Sequence, residues 1–176
     1  MRILITGGTG LIGRSLCQFW LAQGHELYVW SRTPEQVKKL CGAAVHAVAE
    51  LSELNQVPLD AVINLAGAPI ADRPWTKARR TLLRNSRIAL TERLVRWLAT
   101  LEHKPEVLIS GSAVGWYGDG GEKVLTESSS VQTPDFATQL CADWETAAQA
   151  AEALGIRVVL VRTGLVLTGK GGFLSR

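Results

Sequence analysis

The chain has 176 residues, of which 47% are hydrophobic and 20% are charged, and its formal net charge is +3. This length suits one domain with a real core, no apolar run reaches the roughly 18 residues that a membrane span needs, and the amino terminus lacks a signal-peptide pattern. We therefore expect a soluble cytoplasmic protein, and so small a charge does not by itself indicate nucleic-acid binding.

Cysteine and histidine are few and scattered in the sequence. The three cysteines, Cys17, Cys41 and Cys141, are widely spaced and form no pair with a spacing typical of ligands. This pattern argues against disulfides and structural zinc, so we expect buried thiols. The three histidines also lie far from one another, and no metal site is predicted.

Short apolar runs alternate with helical patterns along the chain, which is typical of βαβ units in a parallel sheet. The predicted strands lie at residues 3–5, 27–30, 44–48, 61–65, 107–110 and 157–162. Helices are predicted from 11 to the break at 24, after 34, at 76–101 and at 135–154, with a loop at 115–130. The pattern predicts an α/β fold, a Rossmann-type doubly wound parallel sheet in the order 3-2-1-4-5-6, in which residues 1–176 form one dinucleotide-binding domain.

A glycine-rich segment follows the first predicted strand and opens the first predicted helix. Its sequence, GGTGLIG at residues 7–13, has the placement that dinucleotide binding requires. Glycine permits a sharp turn, lets a pyrophosphate approach the backbone amides and allows close packing at Gly13. The alternative is a tight turn without a ligand. The predicted cofactor-binding residues here are Gly7, Gly8, Thr9, Gly10, Leu11, Ile12 and Gly13.

The end of the second strand distinguishes NAD from NADP in this fold. An acidic residue there would bind the ribose 2′-hydroxyl and repel a 2′-phosphate, but the sequence has Ser31 and Arg32 instead. A hydroxyl and a planar cation both suit a phosphate, so NADP is the predicted cofactor. The alternative for Arg32 is a solvated arginine at a strand end.

Basic residues are concentrated before and within the long predicted helix at 76–101. Arg80 and Arg87 share the spacing of its apolar stripe, so each needs a cofactor phosphate, a substrate anion or a buried carboxylate as a partner. Arg87 is counted among the predicted cofactor-binding residues. The other basic residues fit a solvated face. Trp75 and Trp97 flank the cluster without interleaving it, which disfavours nucleic-acid binding. The cluster comprises Arg73, Lys77, Arg79, Arg80, Arg84 and Arg87.

With these motifs the chain resembles the extended short-chain dehydrogenase/reductase superfamily and, within it, an atypical epimerase-like family. The resemblance implies that Leu65, Ala66 and Gly67 line the cofactor and that residues from Ser110 to Ser112 flank the nicotinamide. On the sequence alone, 66–67 could equally be an ordinary small-residue turn. The segments that carry the resemblance are 7–13, 64–67, 69–75, 86–88, 110–118, 143–145 and 162–164.

The tyrosine and lysine that perform proton chemistry in that superfamily are missing. Where they would fall, the sequence has Phe136 and Leu140, and neither side chain transfers a proton. Ser112 keeps the serine position, and Tyr117 lies nearby in the glycine-rich loop, so these two are the candidate catalytic residues. Their structural alternatives are a strand-end serine bonded to local backbone and an aromatic residue that packs the loop.

The resemblance also implies a carboxyl-terminal substrate domain after the sixth strand, for which this sequence has no residues. We expect a fragment, a truncated form or a naturally short product, and an exposed edge that favours self-association. Two functional classes remain. One is an NADP-dependent oxidoreductase or epimerase acting on a small molecule such as a sugar nucleotide, and the other is a non-catalytic NADP(H)-binding sensor or interaction module.

Overall fold

A six-stranded parallel sheet organises the protein, whose computed structural model describes residues 1–168 and 171–172. The strand order is β3-β2-β1-β4-β5-β6, which confirms the predicted doubly wound order. A short antiparallel pair, β7 with β8, follows the sheet. The strands are β1 Arg2–Thr6, β2 Glu26–Trp30, β3 His46–Val48, β4 Ala61–Asn64, β5 Val107–Ala113, β6 Arg157–Thr163, β7 Leu167–Thr168 and β8 Gly171–Gly172.

In the part of the chain that the structure describes, five α-helices connect the strands, and single 3-10 turns lie at 34–36, 51–54, 114–117 and 150–154. No helix among the described residues has both the length and the apolarity to cross a membrane. The α-helices are α1 Leu11–Ala22, α2 Val37–Cys41, α3 Lys77–Arg84, α4 Leu90–Thr100 and α5 Phe136–Gln149.

The prediction of a single long helix at 76–101 is wrong in one respect. A π-helical segment, Asn85–Ala89, separates α3 from α4. Such a segment adds a residue to one turn and rotates the faces of the two helices relative to each other. Leu83 before it and Leu94 after it are both fully buried, so the insertion keeps both apolar faces on the core.

The core consists of two layers, one on each face of the sheet. Within β1, Leu4 packs into one layer while Ile3 and Ile5 pack into the other. A strand buried on both faces needs apolar residues at successive positions, which explains the apolar runs of the sequence. All three cysteines are buried free thiols, as expected. Because the sheet is covered on both sides, accessible functional groups collect at the carboxyl ends of its strands.

Candidate functional site

The glycine-rich turn lies between β1 and α1, against the end of β4. Gly7 has φ +70°, and a Cβ there would lie 2.7 Å from the carbonyl oxygen of Leu65. A Cβ on Gly13 would lie 2.4 Å from the carbonyl oxygen of Gly7 and 2.6 Å from Cα of Gly8. These contacts are with backbone, which cannot move aside as a side chain can. Both positions therefore require glycine, as the sequence predicts for a tight turn with close packing.

The amino terminus of α1 opens from this turn without a side-chain cap. Gly10 is the N-cap and offers no side-chain hydrogen bond to the first helical turn. A Cβ added to it would meet only the carbonyl oxygen of Gly7, at 3.1 Å. The unpaired amides of a helix start and its positive dipole end bind an anion through backbone alone. The arrangement is compatible with the pyrophosphate of a dinucleotide.

Arg14 adds a positive side chain beside the turn. Its Nε donates a hydrogen bond to the carbonyl oxygen of Gly10 over 3.4 Å. Arg14 is absent from the residues predicted from the sequence, although its position directly after Gly13 was a usable signal. A cation next to an exposed helix start increases the attraction for a phosphate.

The end of β2 presents a hydroxyl and a cation. The Ser31 hydroxyl accepts a hydrogen bond from the backbone N–H of Thr33 at 3.1 Å. Arg32 is exposed and has no ion pair within residues 1–168. The four residues from Trp30 to Thr33 include no acidic residue. The chemistry of this strand end is therefore compatible with a phosphate.

Buried polar side chains connect the ends of β1, β4 and β5. Asn64 accepts a hydrogen bond from the hydroxyl of Thr6 at 2.7 Å, and its amide donates to Thr91 at 2.8 Å and to Ser110 at 3.1 Å. Trp144 Nε1 also donates to the Thr91 hydroxyl, at 3.1 Å. The Ser110 hydroxyl is therefore engaged inside the protein, and its residue is 1% exposed. The network fixes three strand ends against α4 and α5.

The segment after β4 is held by the same network. The backbone N–H of Ala66 donates to the Thr6 hydroxyl at 3.1 Å, and that of Leu65 donates to the Thr6 carbonyl oxygen at 3.2 Å. Leu65 and Ala66 are half-buried, whereas Gly67 is exposed. These three residues, which are predicted to line the cofactor, thus lie at the carboxyl edge of the sheet, next to the turn at Gly7.

The two candidate catalytic side chains belong to one connected cluster. The Ser112 hydroxyl donates to Oε1 of Glu145 at 2.5 Å. Arg162 donates to both carboxylate oxygens of Glu145, at 2.8 and 2.9 Å, and through Nη1 to the Tyr117 hydroxyl oxygen at 3.0 Å. Ser112 and Tyr117 are both buried. The structure therefore brings the predicted pair together through a carboxylate and a guanidinium.

Arg162 supplies the positive charge of this cluster. The hydrogen bonds that Arg162 donates to Glu145 raise the pKa of Arg162 above the ordinary range for arginine, so it keeps its charge. Its guanidinium stacks on Trp116, with Cζ 3.7 Å from the ring centroid. Glu145 and Arg162 are two buried or half-buried charges in close contact, which is the pairing that burial demands. No local sequence pattern identifies this pair as partners.

Phe136 and Leu140 lie near the start of α5, and neither side chain can transfer a proton. The Phe136 ring meets Trp75 edge-on at 5.1 Å between centroids, and the Arg80 guanidinium lies 4.9 Å from its centroid. Leu140 is 1% exposed.

The prediction that Arg80 lies on the apolar stripe is wrong. It is exposed, because the helix before the π segment turns that position outward.

The other stripe arginine, Arg87, lies in the π-helical segment against Gly67, where a Cβ would meet its Cζ at 2.8 Å. It has no carboxylate partner among the described residues. Arg84 differs, because it pairs with Asp143 at 2.6 Å. Within the described residues no group of acidic, histidine or cysteine side chains is arranged to hold a metal.

The strand order, the glycine-rich turn and the open helix start together define a Rossmann-type nucleotide-binding domain. Residues 3–172 match the NAD dependent epimerase/dehydratase family. The chain belongs to this family, in agreement with the resemblance seen in the sequence.

Curated relatives support the assignment and differ in length from this chain. It is 41% identical over 178 residues to the epimerase family protein Mb2239 of Mycobacterium bovis, covering 99% of this chain and 56% of that protein. It is 38% identical over 173 residues to the epimerase family protein YfhF of Bacillus subtilis, covering 97% and 57%. The chain thus spans about half the length of the curated relatives it matches.

Solved structures show the same fold. Human epimerase family protein SDR39U1, solved with NADPH, superposes with a TM-score of 0.82 at 30% identity, covering 99% of this chain and 57% of that one. A structure described as the nucleoside-diphosphate sugar epimerase of Corynebacterium glutamicum gives a TM-score of 0.79 at 32% identity, covering 99% and 36%.

Proposed function

We propose that this chain binds NADP(H) at the carboxyl edge of its sheet and supports a redox or epimerase-like reaction on a small polar carbonyl compound. The observation that carries the proposal is the side-chain-free start of α1 on the Gly7 to Gly13 turn, packed directly against Leu65. That cradle suits a pyrophosphate. Leu65, Ala66 and Gly67 would then line the remainder of the cofactor.

The preference for NADP over NAD rests on the end of β2. Arg32 is exposed and unpaired within residues 1–168, and Ser31 adds a hydroxyl. A guanidinium forms charge-assisted, bidentate hydrogen bonds with a phosphate. The presence of NADPH in the human relative supports the same choice.

Tyr117 is the residue we assign to proton transfer. Because Arg162 donates to its oxygen, the phenolic proton remains free for a substrate oxygen, and the guanidinium faces the negative charge that develops on Tyr117. A bound nicotinamide would supply or accept hydride. The Ser112 proton is already donated to Glu145, so Ser112 acts by positioning that carboxylate.

A non-catalytic NADP(H)-binding module is the second candidate. It is favoured by Phe136 and Leu140, which replace the superfamily's tyrosine and lysine. It is also favoured by the packing of Phe136 against the Trp75 ring and the Arg80 guanidinium. In this case the Tyr117 cluster would be purely structural.

Two measurements separate these functions. Titration with NADPH and with NADH, followed by nicotinamide fluorescence, tests binding, and equal affinities would contradict the NADP assignment. Absorbance at the nicotinamide band is then followed with NADPH and a broad panel of carbonyl compounds, including nucleoside-diphosphate sugars, for which the Corynebacterium relative is named. A net redox reaction requires oxidation of NADPH by at least one compound. An epimerase-like reaction returns the hydride to the substrate, so it is followed with NADP+ as isomerisation of the nucleoside-diphosphate sugars. Tight binding without any oxidation or isomerisation would favour the module.

A further inference from the structure

Two arginine side chains lie beyond the end of β4 without a carboxylate partner among the described residues. The Arg87 guanidinium covers Gly67 and lies 5.4 Å from the ring centroid of Trp144. Within the described residues its only hydrogen bond is a long donation to the Ser86 hydroxyl, at 3.4 Å. Burial lowers the pKa of Arg87. A half-buried guanidinium whose N–H groups lack acceptors lowers the stability of the fold, unless a ligand accepts hydrogen bonds from them.

Arg79 approaches the same segment from α3. Its Nη2 donates to the carbonyl oxygen of Pro69, and its Nε is buried without a hydrogen-bond partner in the part of the chain that the structure describes. Because Gly67 contacts Arg87 and Pro69 contacts Arg79, three consecutive residues join the two guanidinium groups. The positive charge of Arg79 lowers the pKa of Arg87 further. Two neighbouring cations without an acidic partner repel each other and attract an anion.

The phosphates of the cofactor are expected elsewhere on the sheet edge. The open turn follows β1, and the hydroxyl and cation of Ser31 and Arg32 follow β2. Gly67 follows β4, on the other side of β1 in the strand order. In a doubly wound fold this is the half that receives the nicotinamide and the substrate. An anion bound by Arg79 and Arg87 is therefore best supplied by the substrate.

We propose that Arg79 and Arg87 form an anion subsite that binds a phosphate or carboxylate group of the substrate beside the nicotinamide half of the site. The proposal rests on the proposed function, because it assumes that the cofactor occupies the glycine-rich turn. It narrows the substrate class to small carbonyl compounds that carry an anionic group. The planar guanidinium fork of each arginine matches either oxyanion, and the Trp144 ring adds a cation–π contact to Arg87.

The test uses the chain saturated with NADPH, so that the glycine-rich turn is already filled. Inorganic pyrophosphate and malonate are titrated by calorimetry at low ionic strength, as a phosphate probe and a carboxylate probe. Arg79→Gln and Arg87→Gln should each weaken binding of the preferred probe by at least about 10-fold, the loss of one charge-assisted contact. Arg87→Lys should also weaken it, because it keeps the charge and loses the fork.

Arg96→Gln is the matched control, since it removes an equal charge from an exposed position on α4. It should change affinity by less than about 2-fold. Pyrophosphate or malonate should also raise the melting temperature of the wild type and of this control, but not that of Arg87→Gln. A cooperative melting transition of Arg87→Gln shows independently that the variant is folded. Binding of both probes by the Arg79 and Arg87 variants with wild-type affinity would overturn the subsite.

NADPH affinity of the same variants separates the two proposals. We expect it to change by less than about 3-fold, because the proposal assigns these arginines to the substrate and not, as the sequence predicts for Arg87, to the cofactor. A parallel loss of NADPH affinity in Arg87→Gln would place Arg87 in the cofactor site and overturn the substrate assignment. If the wild type binds no NADPH, the proposed function fails and the assignment of the anion to a substrate fails with it; loss of probe binding in Arg79→Gln, measured on the chain alone, would then show an anion site only.

Discussion

Replacing Glu145 with Gln should destabilise the protein far more than the same change at an exposed ion pair. The Glu145 and Arg162 side chains are only 7% and 18% exposed, and they meet through two hydrogen bonds of 2.8 and 2.9 Å. Removing one partner of a buried pair costs about 3 to 5 kcal/mol, because the remaining charge loses its compensation. Gln keeps one acceptor for Arg162, so we expect about 3 kcal/mol, the lower end of that range.

Glu92→Gln is the matched control. Glu92 pairs with Arg96 at 3.8 Å on the surface of α4, with side-chain exposures of 50% and 71%, and such a pair contributes about 0.3 to 0.5 kcal/mol. The free energy of unfolding is measured by urea denaturation for both variants, with an unchanged slope required for comparison.

A loss at Glu145 no larger than the loss at Glu92 would refute the reasoning. A second variant tests the cause. Adding Arg162→Met to Glu145→Gln should recover part of the lost stability, because it removes the uncompensated charge. No recovery would mean that the loss comes from packing around Glu145 and not from its charge.

Three further predictions concern the cofactor, the proton donor and a helix cap. Arg32→Ala should weaken NADPH binding by about 10-fold or more while changing NADH binding little; equal losses, or the same effect in the control Lys38→Ala, would contradict the assignment. Tyr117→Phe should abolish NADPH oxidation and leave NADPH affinity intact, and retained turnover would exclude Tyr117 as the donor. Asp135 caps α5 through a hydrogen bond from the Thr138 N–H, which lowers its pKa, so Asp135→Ala should cost about 1 kcal/mol at pH 7. Because the folded pKa is the lower one, that difference should be fully present above about pH 4 and should shrink as pH falls through the lowered pKa of the folded state; a difference that does not depend on pH would contradict capping by an ionised carboxylate.

Local sequence patterns predicted most of the fold. The apolar runs of β1, β4 and β5 and the glycine spacing from Gly7 to Gly13 are determined within short windows, since strand burial and turn geometry depend on adjacent residues. The order of the strands followed from the βαβ rhythm together with the family resemblance, and the structure confirms it. The interruption at Asn85–Ala89 was not predictable, because an inserted residue in a helix is fixed by the packing of both flanking segments.

The sequence by itself determined a dinucleotide-type turn and the absence of an acidic residue beside Arg32, and its family resemblance predicted that Phe136 and Leu140 replace a tyrosine and a lysine. Each of these is a property of residue identity at a fixed spacing. Only the tertiary structure decided that Ser112 bonds to Glu145, that Arg162 joins Glu145 to Tyr117, and that Arg87 lies against Gly67. Those partners lie on different elements, and a buried charge or hydroxyl takes whichever group packing places within reach. The turn therefore indicates where a nucleotide fits, while the side chains that would act beside it were assembled by the fold.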